Sequence, residues 1–300
     1  MQRPLLVPCF CLGLLAAAYP LLPTAAEVAR QDAPAIEASH VRADVHLLTG
    51  SGGNIAVSAG PDGLLMIDDK FLNLAGDIQS ALDALAADHE LEVSTPRFLV
   101  NTHMHGDHTG GNPAFGTSAT ILAHDNVRAR LASGDDPMEA AGLPVVTYAE
   151  GAALHMNGQR IDLVHVPTAH TDGDTLVHFR GANVLHLGDL GFIGIFPFID
   201  LGRGGSVDGF VAGLDRALEL GDADTLFVPG HGPVCGPDEV RALRDMLVEG
   251  QRRVAEAIAA GQSASYMRQA GILEDYAEWD WGFISTDAMI QTLYDDAQRD

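Results

Sequence analysis

One run of twelve residues constrains this chain more tightly than any other feature. It reads Asn101-Thr102-His103-Met104-His105-Gly106-Asp107-His108-Thr109-Gly110-Gly111-Asn112 and follows the apolar triplet Phe98-Leu99-Val100. On an extended segment, residues two apart point the same way, so His103 and His105 can bind one ion together. Gly106 permits a sharp turn, after which Asp107 and His108 can aim at a second position. Imidazole and carboxylate are good zinc ligands, and the end of a strand is a rigid mount for them. The fold therefore has to present a buried strand that runs out into a metal-binding loop.

The surrounding pattern supplies such strands. From Asp44 onward, short apolar runs alternate with turn signals. Val45–Leu48, Asn54–Ser58 and Leu64–Ile67 read as strands, separated by Gly50-Ser51-Gly52-Gly53 and Gly60-Pro61-Asp62-Gly63. Leu74, Ile78, Leu82 and Leu85 recur near the 3.6 period and predict a helix over Leu72–Ala87. Phe98–Val100 and Ala119–Ala123 read as strands, and Asn126–Leu131 as a short helix. In the second half the expected strands are Ile161–Val166, Thr175–Phe179, Asn183–Leu187 and Thr225–Val228, the last stopped by Pro229-Gly230. Val207–Leu220 and Glu239–Ala260 read as helices, followed by helical sequence from Ser263, a loop with Trp279 and Trp281, and a last helix near Asp287–Ala297. Strand–strand–helix groups in both halves predict an α/β fold with two sheets back to back and helices outside. Nothing splits residues 44–300 into separate domains.

The N-terminus has a different character. Met1–Ala26 reads as a secretory signal: Arg3 gives a weak positive start, Leu5–Leu22 is apolar, and Thr24-Ala25-Ala26 has the small-x-small form of a cleavage site. Pro4, Pro8, Pro20 and Pro23 confine the uninterrupted run to Cys9–Tyr19, which is short for a membrane span. Residues 27–43 are expected to form a flexible leader. Removal of 1–26 would place the protein in the periplasm or outside the cell, without a membrane segment. It would also leave Cys235 as the single cysteine, unable to form an internal disulfide. The 17 basic residues, of which Lys70 is the one lysine, face 41 acidic ones, for a net charge of −24. Such a surface repels phosphate backbones and anionic headgroups, so nucleic acid is excluded as a partner and a small-molecule substrate is expected.

His-x-His-x-Asp-His after an apolar strand resembles the metallo-β-lactamase superfamily, and further motifs match in the family's order. They are Ala169-His170-Thr171-Asp172-Gly173-Asp174, Leu187-Gly188-Asp189 and Val228-Pro229-Gly230-His231-Gly232. The resemblance covers roughly Asp44 to Pro237. It implies a four-layer αββα sandwich, here with C-terminal helices, and two zinc ions at one edge. It further implies His103, His105 and His170 on the first ion, Asp107, His108 and His231 on the second, and Asp189 between them. The remaining histidines match nothing, although His165 and His186 lie close enough in sequence to support the ligands.

Two divalent ions with this ligand set keep positions open for water, and a water between two cations is a hydroxide at neutral pH. The expected activity is hydrolysis at an amide or ester carbonyl, that of a β-lactam or a similar substrate, with Asp107 as the residue that orients the hydroxide and carries a proton to the leaving group. The alternatives are a lactone or thioester hydrolase similar to glyoxalase II, or a non-catalytic exported metal-binding assembly factor. The best-known β-lactamases of the superfamily use a cysteine on the second metal with a lysine nearby; here Asp189 replaces the cysteine, and Lys70 is far away in sequence. Glyoxalase II has an acidic residue after Pro-Gly-His, where this chain has Gly232. Gly53-Asn54-Ile55-Ala56-Val57, Ile67-Asp68-Asp69, His105–Asn112, Pro197–Asp200 and Gly204-Gly205-Ser206 resemble a set of exported superfamily hydrolases. Phe192–Asp200 is expected to form either a loop on the substrate side or a buried connection, and Arg203 is the candidate for gripping a substrate carboxylate.

Overall fold

Leu64 and Met66 point to one side of their strand, and Leu65 and Ile67 to the other; all four are fully buried. A strand that buries both faces lies in a sheet covered on both sides, which is the layering the chain adopts. The computed structural model describes residues 36–134 and 136–299.

The elements follow in this order. Strands β1 (Glu37–Arg42), β2 (Val45–Thr49), β3 (Ile55–Gly60) and β4 (Gly63–Ile67) lead into helix α1 (Ala75–Asp88). Then come β5 (Phe98–Val100), the short helices α2 (Gly106–Thr109) and α3 (Asn112–Phe115), β6 (Thr120–His124), α4 (Asp125–Leu131) and β7 (Val146–Tyr148). The second half holds β8 (Gly151–Met156), β9 (Gln159–Val166), β10 (Asp174–Phe179), β11 (Val184–Phe192), α5 (Val207–Leu220) and β12 (Leu226–His231). Helices α6 (Pro237–Ala259), α7 (Ala264–Gln269) and α8 (Thr286–Asp296) close the chain.

One sheet has the order β1-β2-β3-β4-β5-β6-β7 and the other β12-β11-β10-β9-β8. Leu65, Ile67, Val100 and Leu122 from the first sheet meet Ile161, Leu163, Val177, Phe179 and Val228 from the second in the layer between them. Leu64, Met66, Leu99 and Ile121 face outward onto Ile78, Leu82 and Leu85 of α1. On the opposite outer face, Leu176, Leu185, Leu187 and Phe227 pack under Phe210 and Leu214 of α5 and Leu243, Met246 and Leu247 of α6. The αββα sandwich with C-terminal helices is thus the observed fold. Each fully buried Leu or Ile in these layers stabilises it by about 1.5–3 kcal/mol. Among the described residues, no helix is long and apolar enough to cross a membrane.

Several elements differ from the sequence expectation. The segment expected as a secretory signal, 1–26, lies outside the described residues. Within the expected leader 27–43, Glu37–Arg42 is a strand, paired antiparallel with β2 from Glu37↔Thr49 to Arg42↔Val45. Its side chains are mostly exposed, so it lacks the apolar alternation that marks a strand in sequence. Strands β7 and β8 were not expected, for the same reason: exposed residues interrupt both. β11 continues past Leu187 to Phe192, and β12 runs through Pro229-Gly230 to His231, with Gly188 opposite Pro229 and Phe192 opposite His231. Proline is tolerated there because β12 is an edge strand and needs no donor on its outer side. The two extensions carry Asp189 and His231 to the same end of the sandwich.

Candidate metal centre

Six loops and strand ends converge at one edge of the two sheets. The end of β4 brings Asp68, the turn after β5 brings His103 and His105, and α2 carries Asp107 and His108. The β9–β10 connection brings His170, β11 brings Asp189, and the tip of β12 brings His231. The run that opens with Asn101 and closes with Asn112 is clasped at its base: each of these buried side chains donates to the other's amide oxygen at 2.9 Å.

The donor atoms gather in two groups, one of His103, His105, His170 and Asp189 and one of Asp107, His108 and His231. Asp189 spans both. Its Oδ2 lies 3.7 Å from His103 Nε2, 3.6 Å from His170 Nε2 and 3.4 Å from His231 Nε2, while its Oδ1 lies 3.0 Å from His108 Nε2. Asp107 Oδ2 is 3.3 Å from His231 Nε2 and 3.6 Å from His108 Nε2. Two donors on one tetrahedral ion with bonds of roughly 2.1 Å stand about 3.4 Å apart, so these separations suit shared ions.

Four of the five histidines also have a ring nitrogen held by the protein. His170 Nδ1 donates to the Phe198 carbonyl at 2.7 Å, and His108 Nδ1 to Asp68 at 2.7 Å. His103 Nδ1 contacts Thr102 Oγ1 at 3.1 Å, and His105 Nε2 contacts Asp200 at 3.0 Å. Each such bond turns the other nitrogen inward, where His170 Nε2 and His105 Nδ1 meet at 2.8 Å; with their outer nitrogens protonated both present lone pairs, as a metal ligand requires. His103 Nε2, His108 Nε2 and Asp189 Oδ1 are buried and make no hydrogen bond, since the close His108–Asp189 approach is off the hydrogen-bonding direction. Buried polar atoms without partners are costly unless something else satisfies them, and a cation bound by this donor set does so. The cluster is able to bind metal ions.

The electrostatics agree. Burial pushes the His103 imidazole well below its ordinary pKa and His170 down to about 4, so both stay neutral and able to ligate. Burial also opposes charge on His108 and His231. At His108, Asp189 and Asp68 outweigh it and raise the pKa well above the usual value; at His231, Asp189 and Asp107 raise it to about 9. Burial disfavours the Asp189 carboxylate, yet His108, His231 and His103 hold its pKa well below the usual range. The carboxylates therefore draw positive charge to this point, as protons or as metal ions.

Two glycines are fixed by close approach. A Cβ on Gly53 would stand 2.1 Å from the His108 ring, and one on Gly230 would stand 2.1 Å from Asp189 Oδ1. Asn54 binds this corner together: its backbone N–H donates to the Gly230 carbonyl at 2.8 Å, and its side chain to the carbonyls of Pro229 at 3.0 Å and Gly232 at 2.9 Å.

All seven sequence-derived candidates, His103, His105, His170, Asp107, His108, Asp189 and His231, meet at the centre. His186 supports it, contacting the Asn54 carbonyl at 3.3 Å and accepting from the Gly188 N–H at 3.1 Å. His165 does not; it stacks on His124 at 3.6 Å, away from the donors. Arg203 is not where a carboxylate grip was expected: it lines a neighbouring cavity of about 550 Å³ with Arg130 and Glu139. Lys70, distant in sequence, lies fully buried beneath the metal loop, where its Nζ donates to the Gly53 carbonyl. Burial lowers its pKa to about 8 against the pull of Asp107 and Asp68. The sequence names Asp68 and Asp200 only within motifs and Trp281 only within a loop, gives none of them a role, and does not single out Phe283.

Fold and donor set together define a metal-binding hydrolase class. The chain belongs to the metallo-β-lactamase superfamily, whose model matches residues 48–231. It is 31% identical over 168 residues to a hydroxyacylglutathione hydrolase from Polaromonas sp. (strain JS666), covering 50% of this chain and 56% of that protein, little more than half its length. It is 25% identical over 228 residues to the acyl-coenzyme A thioesterase MBLAC2 of Gallus gallus, covering 67% of this chain and 76% of that one. Among solved structures, a metallo-β-lactamase from Pontibacter korlensis superposes with a TM-score of 0.60 at 15% identity, over 71% of this chain and 99% of its own. The sec-alkylsulfatase Pisa1 from Pseudomonas sp. gives 0.66 at 17% identity, over 88% of this chain and 50% of its own. At these identities the structural likenesses speak for the fold alone.

Proposed function

We propose that the protein is a dinuclear zinc hydrolase that attacks the carbonyl carbon of a thioester or ester and breaks its C–S or C–O bond. In this reading His103, His105 and His170 hold one ion, Asp107, His108 and His231 the other, and Asp189 lies between them. The observation that carries it is Asp189: its Oδ2 lies within 3.7 Å of His103, His170 and His231 and its Oδ1 3.0 Å from His108, so one buried carboxylate reaches both histidine groups. When bound, two zinc ions supply Lewis acidity toward the carbonyl oxygen and a water acidic enough to attack at neutral pH. The chain's own part falls mainly to Asp107. Its carboxylate faces the cavity above the donors, with Oδ2 3.3 Å from His231 Nε2 and 3.6 Å from His108 Nε2, and its pKa stays below the ordinary value despite its burial. It can orient the attacking water, accept its proton and pass that proton to the departing thiolate or alkoxide. The products are the carboxylic acid and the free thiol or alcohol.

The curated relatives support the thioester reading, being named for hydrolysis of hydroxyacylglutathione and of acyl-coenzyme A. β-Lactam hydrolysis is the second reading and rests on the superfamily alone. We further propose that residues 1–26 are removed on export to the periplasm, so that the secreted chain begins at Glu27; mass spectrometry finding Met1 intact would refute this. The test of function is a panel of thioesters, esters, lactones, β-lactams and phosphodiesters on zinc-loaded protein. Two zinc ions per chain and thioester or ester turnover are expected. A firm single-metal stoichiometry, or no hydrolysis of any member, would overturn the reading.

A further inference from the structure

Five aromatic rings wall the cavity above the donor cluster. It measures about 540 Å³, ample for a small ligand, and its aromatic lining is Phe71, Phe192, Phe198, Trp281 and Phe283. Four of the rings form an arc that starts and ends on metal-centre histidines. Phe192 stacks on His231 with centroids 4.9 Å apart, and Trp281 lies 6.2 Å from Phe192. Phe283 follows at 5.6 Å from Trp281, then Phe198 at 5.3 Å from Phe283, and His105 at 5.7 Å from Phe198. The Trp281 indole N–H is already used, donating to the Phe196 carbonyl at 2.9 Å, so the ring offers the cavity an apolar face. Phe196 N–H in turn donates to the Trp279 carbonyl at 2.9 Å, which fixes the C-terminal segment against the loop after β11.

The charged groups point the same way. Among the described residues no lysine or arginine lines this cavity, and its ionisable residues are the candidate ligands His105, Asp107, Asp189 and His231. A substrate carboxylate away from the metals would be stripped of water without a partner, in a chain of net charge −24. Phe283 is 62% exposed and Phe71 37% exposed at the cavity wall, so apolar surface is left open beside the reacting centre. Trp281 and Phe283 also lie beyond the 48–231 stretch matched by the family model, so this wall is built partly from the chain's own C-terminal segment.

We infer that the aromatic arc is an acyl pocket, and that the substrates are thioesters or esters of uncharged, apolar acyl groups rather than carboxylate-bearing molecules such as β-lactams. This inference rests on the hydrolase reading for its chemistry, but the pocket can be tested apart from it. Zinc-loaded protein is assayed with p-nitrophenyl acetate, butyrate and hexanoate, and with the p-nitrophenyl monoester of adipate, which ends in a carboxylate. The expected kcat/KM rises about threefold per added methylene, and the adipate monoester falls at least about tenfold below hexanoate. Phe283→Ala should lower the hexanoate-to-acetate ratio by about tenfold, and Phe283→Leu should recover much of it. Independently of turnover, titration with N-methylhexanamide, an unreactive hexanoyl analogue, should shift the emission of the two tryptophans, Trp279 and Trp281. A flat chain-length profile with no fluorescence shift, or a preference for the adipate monoester, overturns the pocket while leaving the hydrolase reading intact. A fluorescence shift lost in Phe283→Ala, without hydrolysis of any ester, supports the pocket and overturns the hydrolase.

Discussion

Asp68 Oδ2 lies 2.7 Å from His108 Nδ1, and both side chains are completely buried. The same carboxylate accepts from the Thr102 N–H and the Thr102 hydroxyl, each at 2.7 Å. That hydroxyl in turn stands 3.1 Å from His103 Nδ1. With the hydroxyl proton given to Asp68, its oxygen accepts from His103, so one carboxylate sets the tautomer of a histidine in each donor group. Asp68→Asn should lower metal affinity by about 10- to 100-fold while all seven candidate donors remain. Competition against a chromophoric chelator measures this, and unchanged affinity would show that Asp68 does not orient the ligands.

Asp107→Asn separates chemistry from metal binding. It keeps the side-chain size and an oxygen donor, and with it part of the metal affinity, but cannot take up a proton, so kcat should fall by about 100-fold or more, beyond any loss of bound zinc, while the protein stays folded. His103→Ala should instead lose zinc as well as turnover, because no neighbouring imidazole can replace the donor. Zinc content, melting temperature and turnover measured on the same preparations tell the two apart. Near-normal turnover in Asp107→Asn would remove it from the mechanism.

Gly230→Ala places a methyl group 2.1 Å from Asp189 Oδ1 and 2.8 Å from the Gly188 carbonyl, so Asp189 must move. The expected result is loss of zinc and destabilisation by roughly 1–3 kcal/mol. Gly76→Ala is the counterpart: it lies in the first turn of α1 with nothing within 4 Å of the added carbon. It should raise stability by about 0.5–1 kcal/mol. Chemical denaturation of both variants checks the pair.

Lys70 gives a pH dependence with a definite sign. Its folded-state pKa, about 8, lies below the ordinary value of 10.5, so the folded chain loses this proton first. Below pH 8 both states carry the charge and its burial cost is felt in full. Between pH 8 and 10.5 the unfolded chain binds more protons, so this residue's contribution to stability improves as pH rises. Lys70→Met should lack that rise and, through loss of the bond to the Gly53 carbonyl, cost about 1–3 kcal/mol at neutral pH. Denaturant melts at pH 7, 8, 9 and 10 read both effects.

Cys235 should resist alkylation in the folded protein. Burial, with Glu239 nearby, raises its thiol to about 12. At pH 8 the thiolate fraction is then only about one in ten thousand. Peptide mapping after iodoacetamide should find Cys235 unlabelled until denaturant is added, and prompt labelling of native protein would contradict the burial.

The sequence alone marked the candidate donors and their order. His103, His105, Asp107 and His108 sit within six residues, and His170, Asp189 and His231 each lie in a short motif, so their chemistry was legible without a fold. The layered sandwich was legible too, because strands such as β4 alternate their apolar faces residue by residue. Strands β1, β7 and β8 were not, since their exposed positions break that alternation. The ends of β11 and β12 were set by pairing with each other across 30 to 40 intervening residues, whatever Pro229 and Gly230 suggest locally. Only the tertiary structure placed Asp68 and Lys70 beneath the metal loop, turned Asp200 onto His105, and moved Arg203 to a different cavity. Only it brought Trp281 and Phe283 over histidines 50 or more residues earlier in the chain. Such contacts join side chains far apart in sequence, and a local period or motif reports the neighbours along the chain but not the partners across the core.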